Sequence, residues 1–525
     1  MTSSRALARA GLIVSGAFLI SRLLGWLRVV IIGNTFGDGP EFSAFVAAFR
    51  LPDLMFQLVA AGALSSAVIP IVSALLATDQ TARAWRVVST IANLMLAGLL
   101  VLGVIVFIAA PVIVPAIIAP GWNDDALWAR TVDLTRIMIL SPIFLSLGSL
   151  ASSVLNARGR FAASAVAPIV YNLAIIGAAI ALTPSLGVTG LAVGVVAGSL
   201  GHLLVQIAPL RAQGFRYERR IDTADAEARK ALTLMAPRAL GLGAGQITFI
   251  VLTSIATGLG PAAITAFNYA FTLLQIPIGL IGVPLGIVVL PSLASLAAVG
   301  QLDAFAGLMS RAIRLTLYVM LPVTGIAIVL RHEIVNVLFG YSRFDSAALD
   351  LIAATLVAFL LGLTAHALIA ILARAFYARH DTRTPVAAAI LAVVINSSLA
   401  GVLAGPLGLP GLGLAIAIAA WVETILLLVL LRRSLPELAF GPIVSLGVRS
   451  LVVTIAGSLA AAGVQAGLTL AMGTDPGRSG LIVRAVVVGF VWLLTSAAAS
   501  VVLRIGELTS IIALMSDLLR RPRRA

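Results

Sequence analysis

The chain has no cysteine, one lysine (Lys230) and four histidines in 525 residues. Without cysteine there are no disulfides, no thiolate metal sites and no cysteine nucleophile. The histidines, His202, His332, His366 and His380, share no metal-ligand spacing. Charge is scarce as well. Only 11% of residues are charged, against 60% hydrophobic, and the mean hydropathy is +1.11. That balance excludes a soluble globular protein. No phosphate-cradling glycine loop followed by lysine is present, which excludes direct coupling to ATP hydrolysis on this chain. Heptad arrays and low-complexity tracts are also missing.

What the sequence does have is apolar runs. Runs of roughly 20 residues recur along the whole length, each long enough to cross about 30 Å of hydrocarbon. The expectation is an all-α polytopic membrane protein with about fourteen transmembrane helices. The first run, 10–32, follows Arg5 and Arg9 and lacks a small-residue cleavage site, so it reads as an uncleaved first span. The second, 43–76, is overlong and carries Pro52 and Pro70, so it is expected to kink.

Net charge is +14, nearly all of the positive part from arginine. In a soluble protein this would point to nucleic acid. Here the arginines fall in alternate short loops, as the positive-inside rule requires, and no nucleic-acid partner is expected. Arg83, Arg86, Arg158, Arg160, Arg211, Arg216, Arg219, Arg220, Arg311, Arg314, Arg374, Arg379, Arg383, Arg432, Arg433 and Arg449 all lie on the expected cytoplasmic side. Both termini then lie there too, and only Arg331 to Asp345 blurs the alternation.

The halves repeat. Pro70 and Pro291, Arg158 and Arg379, Gly187 and Gly408, Gly190 and Gly411, and Arg211 and Arg432 are each 221 apart (291 − 70 = 221). The reading is an N-lobe 1–210 (helices 1–6), a cytoplasmic linker 211–233, a C-lobe 234–433 (helices 7–12), helices 13–14 in 434–505, and a basic cytoplasmic tail 506–525. An even helix number per repeat makes the two six-helix lobes parallel, an arrangement that binds substrate between lobes and alternates access by rocking. Asp222 to Lys230 reads as a short polar surface helix, and Thr509 to Leu519 as another at the cytoplasmic face.

Charges inside spans are the candidate functional residues. Arg22 and Arg28 lie in the first run on either side of Gly25. A charge at bilayer depth costs at least about 2.5–3.5 kcal/mol and faces a cavity or a partner. One reading is a cationic lining for an anionic substrate; the other is snorkelling to a headgroup, which competes most strongly for Arg28. Arg50, in Phe49-Arg50-Leu51-Pro52-Asp53, is a third cavity candidate, against a local pair with Asp53 at i,i+3. Glu423 is a candidate for ion coupling or a counter-ion for arginine; Asn396 is a candidate for ion coupling or an interhelical hydrogen-bond partner. Asn172, Gln206, Gln246, Asn268, Gln275 and Gln465 read as interhelical hydrogen-bond partners, as do His202 and His366. Asp124-Asp125 reads as a solvated face more readily than an acid/base pair.

These residues resemble the MurJ/MviN family, the lipid II flippases of the MOP exporter superfamily. Ser21-Arg22-Leu23-Leu24-Gly25 with Arg28 is similar to its opening motif. Ala48-Phe49-Arg50-Leu51-Pro52, Gly62-Ala63 and Pro70 resemble its second helix. Leu155-Asn156 with Arg160-Phe161, Ala167-Pro168 and Asn172 resemble its fourth-loop region. Gly282-Val283-Pro284-Leu285-Gly286 to Leu293, and Phe376-Tyr377-Ala378-Arg379 with Asp381 and Thr384-Pro385, fit in order. The resemblance implies a transporter, not an enzyme, that moves lipid-linked peptidoglycan precursor to the outer leaflet of the bacterial inner (plasma) membrane. It implies Arg22 and Arg28 as cavity arginines, lipid II or a related polyprenyl-diphosphate sugar as substrate, and no cofactor. The coupling source is open between Na+, H+ and the membrane potential. Expected partners are membrane lipids and cell-wall synthesis proteins. The chain departs from the family pattern at Ser43 (acidic there), Phe56 (arginine nearby), Ala61 (glutamate) and Thr272 (arginine). The other readings are a flippase for a different polyprenyl-diphosphate sugar, a MATE-like exporter, a non-transporting scaffold and a membrane glycosyltransferase.

Overall fold

The computed structural model describes residues 4–59, 63–260, 262–340, 343–474 and 476–509. Every regular element among them is a helix. The chain divides into two compact units, Met1–Thr265 and Ala266–Ala525. The first holds α1 (Ser4–Phe36), α2 (Pro40–Ala48), α3 (Arg50–Val59), α4 (Ala63–Ala77), α5 (Thr81–Ile113), α6 (Asp125–Met138), α7 (Leu140–Ala157), α8 (Phe161–Ala181), α9 (Thr183–Leu186), α10 (Val188–Ala212) and α11 (Ala226–Thr257). A π-helical turn, Val114–Ile118, extends α5 at Pro115.

The second begins in the first turn of α12 (Ala263–Pro277). It continues through a π-helical turn (Ile278–Gly282) to α13 (Val283–Ala298), α14 (Leu302–Val329), α15 (Arg331–Phe339), α16 (Ser346–Leu360) and α17 (Leu363–Ala378). It ends with α18 (Arg383–Leu407), α19 (Leu409–Ser434), α20 (Phe440–Met472) and α21 (Gly477–Val502).

Twelve described helices are long and apolar enough to cross a membrane, and the pair α16–α17, bent by 43°, makes a thirteenth. α11 takes the seventh expected position, and its shorter apolar part is Gly245–Thr257. All-helical content follows from the solvent, because in hydrocarbon a helix satisfies its own backbone. The core of the first unit gathers Val68, Val72, Ile91, Val154 and Leu155 from α4, α5 and α7. In the second unit Phe305, Met309, Ile371, Leu372 and Leu427 join α14, α17 and α19.

The 221-residue repeat recurs in the element boundaries. α5 starts at Thr81 and α14 at Leu302; α6 at Asp125 and α16 at Ser346; α10 at Val188 and α19 at Leu409 (409 − 188 = 221). Gly187 and Gly408 precede the last pair with φ of 55° and 60°, a left-handed conformation that glycine adopts without a Cβ clash. A β-carbon at Gly190 would lie 2.8 Å from the Leu182 carbonyl carbon, and one at Gly411 2.8 Å from that of Leu403. Both glycines therefore let the two helices of a hairpin touch backbone to backbone. Arg158 donates from Nη2 to the Gln213 carbonyl at 3.4 Å, and Arg379 from Nη2 to the Ser434 carbonyl at 3.0 Å. These carbonyls are also 221 apart and close the C-termini of α10 and α19, where a cation meets the negative end of the helix dipole. The repeated arginines thus brace their lobes.

Two local expectations change. The second span breaks at Phe49, not at a proline. Pro52 sits in the first turn of α3, and its ring excludes a helical bond to the Ala48 carbonyl four residues earlier. Pro70 lies inside α4. Residues 222–230 form no separate surface helix: Asp225 caps α11, which runs unbroken from Ala226. The expected helix at Thr509 to Leu519 lies, past Thr509, outside the described residues. Asp124 and Asp125 are exposed, as expected of a solvated face, and the Asp124 carboxylate also accepts from the Ala126 and Leu127 amides as the cap of α6.

The linker that separates the repeats and the border of the compact units stand at different places. α11 follows the linker yet packs along α3, α4 and α5 of the first unit. Asp225 fastens its start. It accepts from the Glu227 and Ala228 amides and from Arg83 Nε at 2.8 Å. The hydrogen bond from Arg83 holds the Asp225 carboxyl below the usual range. A depressed folded value stabilises the fold above the ordinary carboxylate range and is lost as pH falls through the folded value. Asp225→Ala should cost about 1 kcal/mol for the lost cap. It should also flatten the acid limb of a thermal-midpoint-versus-pH curve, and an unchanged curve would sink the assignment.

In the second unit the start of α15 is pinned by a buried polar set. Glu333 is 2% exposed and Arg484 4%. Gln465 on α20 donates to both Glu333 carboxylate oxygens at 2.9 Å. Arg484 on α21 lies 3.7 Å from Glu333 through Nη1 and donates through Nη2 to the Gly473 carbonyl at 2.7 Å. This ties α20 and α21 to α15.

Candidate functional site

Arg22 and Arg28 lie on α1, which packs on α8. Asn172 of α8 fixes that contact, donating to the Ser21 carbonyl at 3.4 Å and the Pro168 carbonyl at 3.0 Å. Arg22 is exposed on the unit surface. Arg28 is half-buried, its guanidinium 5.7 Å from the centre of the Tyr171 ring. Arg28 also hydrogen-bonds the Tyr171 side chain. Arg50 begins α3 and donates from Nε to Thr253 Oγ1 of α11 at 2.8 Å, while its guanidinium lies 5.4 Å from the Phe249 ring centre.

Asp53 connects the two arginine neighbourhoods. Its carboxylate interacts electrostatically with both Arg50 and Tyr171 and is hydrogen-bonded by Gln57 and Gln246. Arg28, Tyr171, Asp53, Arg50 and Thr253, from α1, α8, α3 and α11, therefore form one polar group within the first unit. Sequence reading finds the arginines but not Tyr171, Phe249 or Thr253. The signal available for Tyr171 was a tyrosine next to Asn172 inside an apolar span, in a chain with six tyrosines.

The other candidates are more scattered. Ser43 is buried, its Oγ 2.8 Å from Thr265 Oγ1. Phe56 on α3 is half-buried against the α4–α5–α7 core. Thr272, on α12 in the second unit, donates its hydroxyl to the Asn268 carbonyl at 2.7 Å. Ala61 lies outside the described residues. Glu423 is half-buried on α19, and Asn396 is buried on α18, which packs beside it. The Asn396 Oδ1 has no hydrogen-bond partner among the described residues.

Gln206 makes the expected interhelical bond, donating to the Gly148 carbonyl at 3.1 Å. His202 and His366 do not follow that expectation. Among the described residues His202 Nδ1 and His366 Nε2 are buried without a partner. Arg374 sits within α17 rather than in the following loop, bonded to the Ala370 carbonyl and packed on Gly286. No cluster of three His, Asp or Glu suited to a metal ion occurs among the described residues.

Chemically, the first unit carries guanidinium groups on membrane-spanning helices, the group best suited to bidentate contact with phosphate. The solved structure described as lipid II flippase MurJ in an inward closed conformation aligns with a TM-score of 0.77 at 21% identity, covering 93% of this chain and 99% of that one. An inward-facing multidrug resistance MATE family transporter of the MOP superfamily aligns with a TM-score of 0.65 at 17% identity, covering 82% and 98%. Both likenesses concern the fold. Closer in sequence is the "Probable lipid II flippase MurJ" of Rhizobium tropici, 33% identical over 426 residues and covering 80% of each chain. The "Lipid II flippase MurJ" of Burkholderia cenocepacia is 32% identical over 435 residues, covering 81% of this chain and 84% of its own. The sequence model of the family described as lipid II flippase MurJ matches residues 32–473, and with these relatives it makes this chain a member of the lipid II flippase MurJ family.

Proposed function

We propose that this protein carries lipid II from the inner to the outer leaflet of the bacterial inner membrane by alternating access, with both termini in the cytoplasm. The observation that carries the reading is the placement of Arg22, Arg28 and Arg50 on α1 and α3 of one membrane-spanning unit, in a chain whose relatives are named lipid II flippases. The roles differ with their surroundings. Arg22, exposed, meets the diphosphate first. Arg28, stacked on Tyr171, presents a fixed guanidinium edge for bidentate contact. Arg50, tied to Thr253 and Phe249 and facing the charge of Asp53, sets the positive potential and positions α3 against α11. The polyprenyl tail requires apolar surface, which the outward faces of the spans supply. We assign coupling to Na+, H+ or the membrane potential to Glu423 and Asn396, whose polar groups lie within adjacent spans of the second unit.

A strain depleted of its own flippase should regain growth and shape when this chain is expressed. Failure to rescue by protein that reaches the membrane would overturn lipid II as substrate. Ser43 and Thr272, uncharged and bonded inside the fold, favour another polyprenyl-diphosphate sugar as the alternative, and binding of such a lipid in place of lipid II would establish it. Topology is tested separately. Reporters fused after Arg83, Arg160, Arg220, Arg379 and Arg433 should all report the cytoplasm, and an outward reading after Arg220 would break the parallel-repeat orientation.

A further inference from the structure

A second cationic site lies at the other end of α20 from Gln465. Arg314 on α14, Pro442, Ser445, Leu446 and Arg449 near the start of α20, and Arg504 to Glu507 after α21 enclose a pocket of about 240 Å³. Three arginines face one carboxylate, leaving the pocket two positive charges in excess. Glu507 is buried and already engaged: Arg314 donates to its Oε1 from Nε at 2.7 Å and again from Nη2. Arg449 and Arg504 are exposed and form no ion pair among the described residues.

Two further features bear on what fills it. Arg504 holds φ at 52°, a left-handed position that favours glycine, so the backbone gains nothing from an arginine there. Beside the pocket, Val444, Val448 and Val452 form an exposed stripe at four-residue spacing on α20, with Val501 and Val502 exposed at the end of α21. A cationic pocket bordered by apolar membrane-facing surface matches a phosphate headgroup with acyl chains attached.

We propose that this pocket binds the phosphate of an anionic membrane lipid and so ties the end of α21 to α14 and α20. Guanidinium groups recognise phosphate by paired donors, and basic pockets at the membrane interface recruit anionic lipids. The valine stripe favours a lipid over free phosphate. The site belongs to the second unit and shares no residue with Arg22, Arg28 or Arg50, so it stands or falls apart from the transport reading.

The test uses full-length protein with phosphatidylglycerol, phosphatidylcholine or inorganic phosphate as probes. Native mass spectrometry should show retention of phosphatidylglycerol over phosphatidylcholine, and Arg449→Gln with Arg504→Gln should reduce that preference roughly tenfold or more. Arg216→Gln with Arg219→Gln removes the same charge from the linker and should leave it intact. Arg504→Gly relieves the left-handed strain, so its thermal midpoint should hold or rise while lipid preference falls, which separates binding from folding. An unchanged preference in the Arg449/Arg504 variant, or an equal loss in the linker variant, overturns the proposal. A thermal shift with inorganic phosphate but no lipid preference overturns the lipid as the source of the phosphate.

Discussion

The Arg22→Ala protein is expected to reach the membrane at the wild-type level and to fail in complementation. Arg22 is exposed on its unit, so its loss should destabilise the fold less than the loss of a buried arginine would. A charge-assisted phosphate contact is worth about 1.5–3 kcal/mol. At 1.4 kcal/mol per decade, losing it weakens substrate binding roughly 10- to 150-fold. Arg28→Lys should keep part of the activity, because an ammonium can sit over Tyr171 but cannot make the bidentate contact. Arg50→Ala should behave differently again. It leaves Thr253 without its donor and Asp53 without its facing cation, so expression should fall along with transport. Proteoliposome flipping of labelled lipid II, normalised to membrane expression, separates the three. Normal transport by Arg22→Ala would remove this residue from the substrate path.

The largest stability effect is expected at Arg484. Replacing it with alanine leaves Glu333, 2% exposed, as a buried carboxylate that among the described residues keeps the Gln465 amide as its side-chain donor. Breaking a buried pair on one side costs about 3–5 kcal/mol, since the remaining charge is uncompensated. Removing both charges, as Glu333→Gln with Arg484→Met, should recover most of the loss, because an apolar or neutral replacement of a buried pair is often neutral. The readout is the thermal midpoint in detergent across the single and double variants. A single variant that melts with the wild type, or a double variant no better than Arg484→Ala, would sink the pairing. Since α21 meets α15 through this set, the Arg484→Ala protein should also expose α21 to proteolysis.

The sequence alone determined the class and the repeat, and came close on the spans: about fourteen were expected, against twelve or thirteen among the described residues. The lipid environment makes this possible. Each crossing needs roughly 20 apolar residues and a helix, so counting apolar runs is nearly counting spans. The 221-residue repeat was legible because it is written in residues that act locally. Gly187 and Gly408 make left-handed turns, Gly190 and Gly411 permit backbone contact, and Arg158 and Arg379 close helix ends. Arg22, Arg28 and Arg50 stood out because a charge in an apolar run is costly. Their neighbours did not. Tyr171 under Arg28, Thr253 beside Arg50, and Arg484 against Glu333 join residues far apart in the chain. A membrane helix that is apolar all round has no amphipathic stripe to reveal which side meets which neighbour. Helix rotation and partner choice are then set by close packing, and only the tertiary structure decides them.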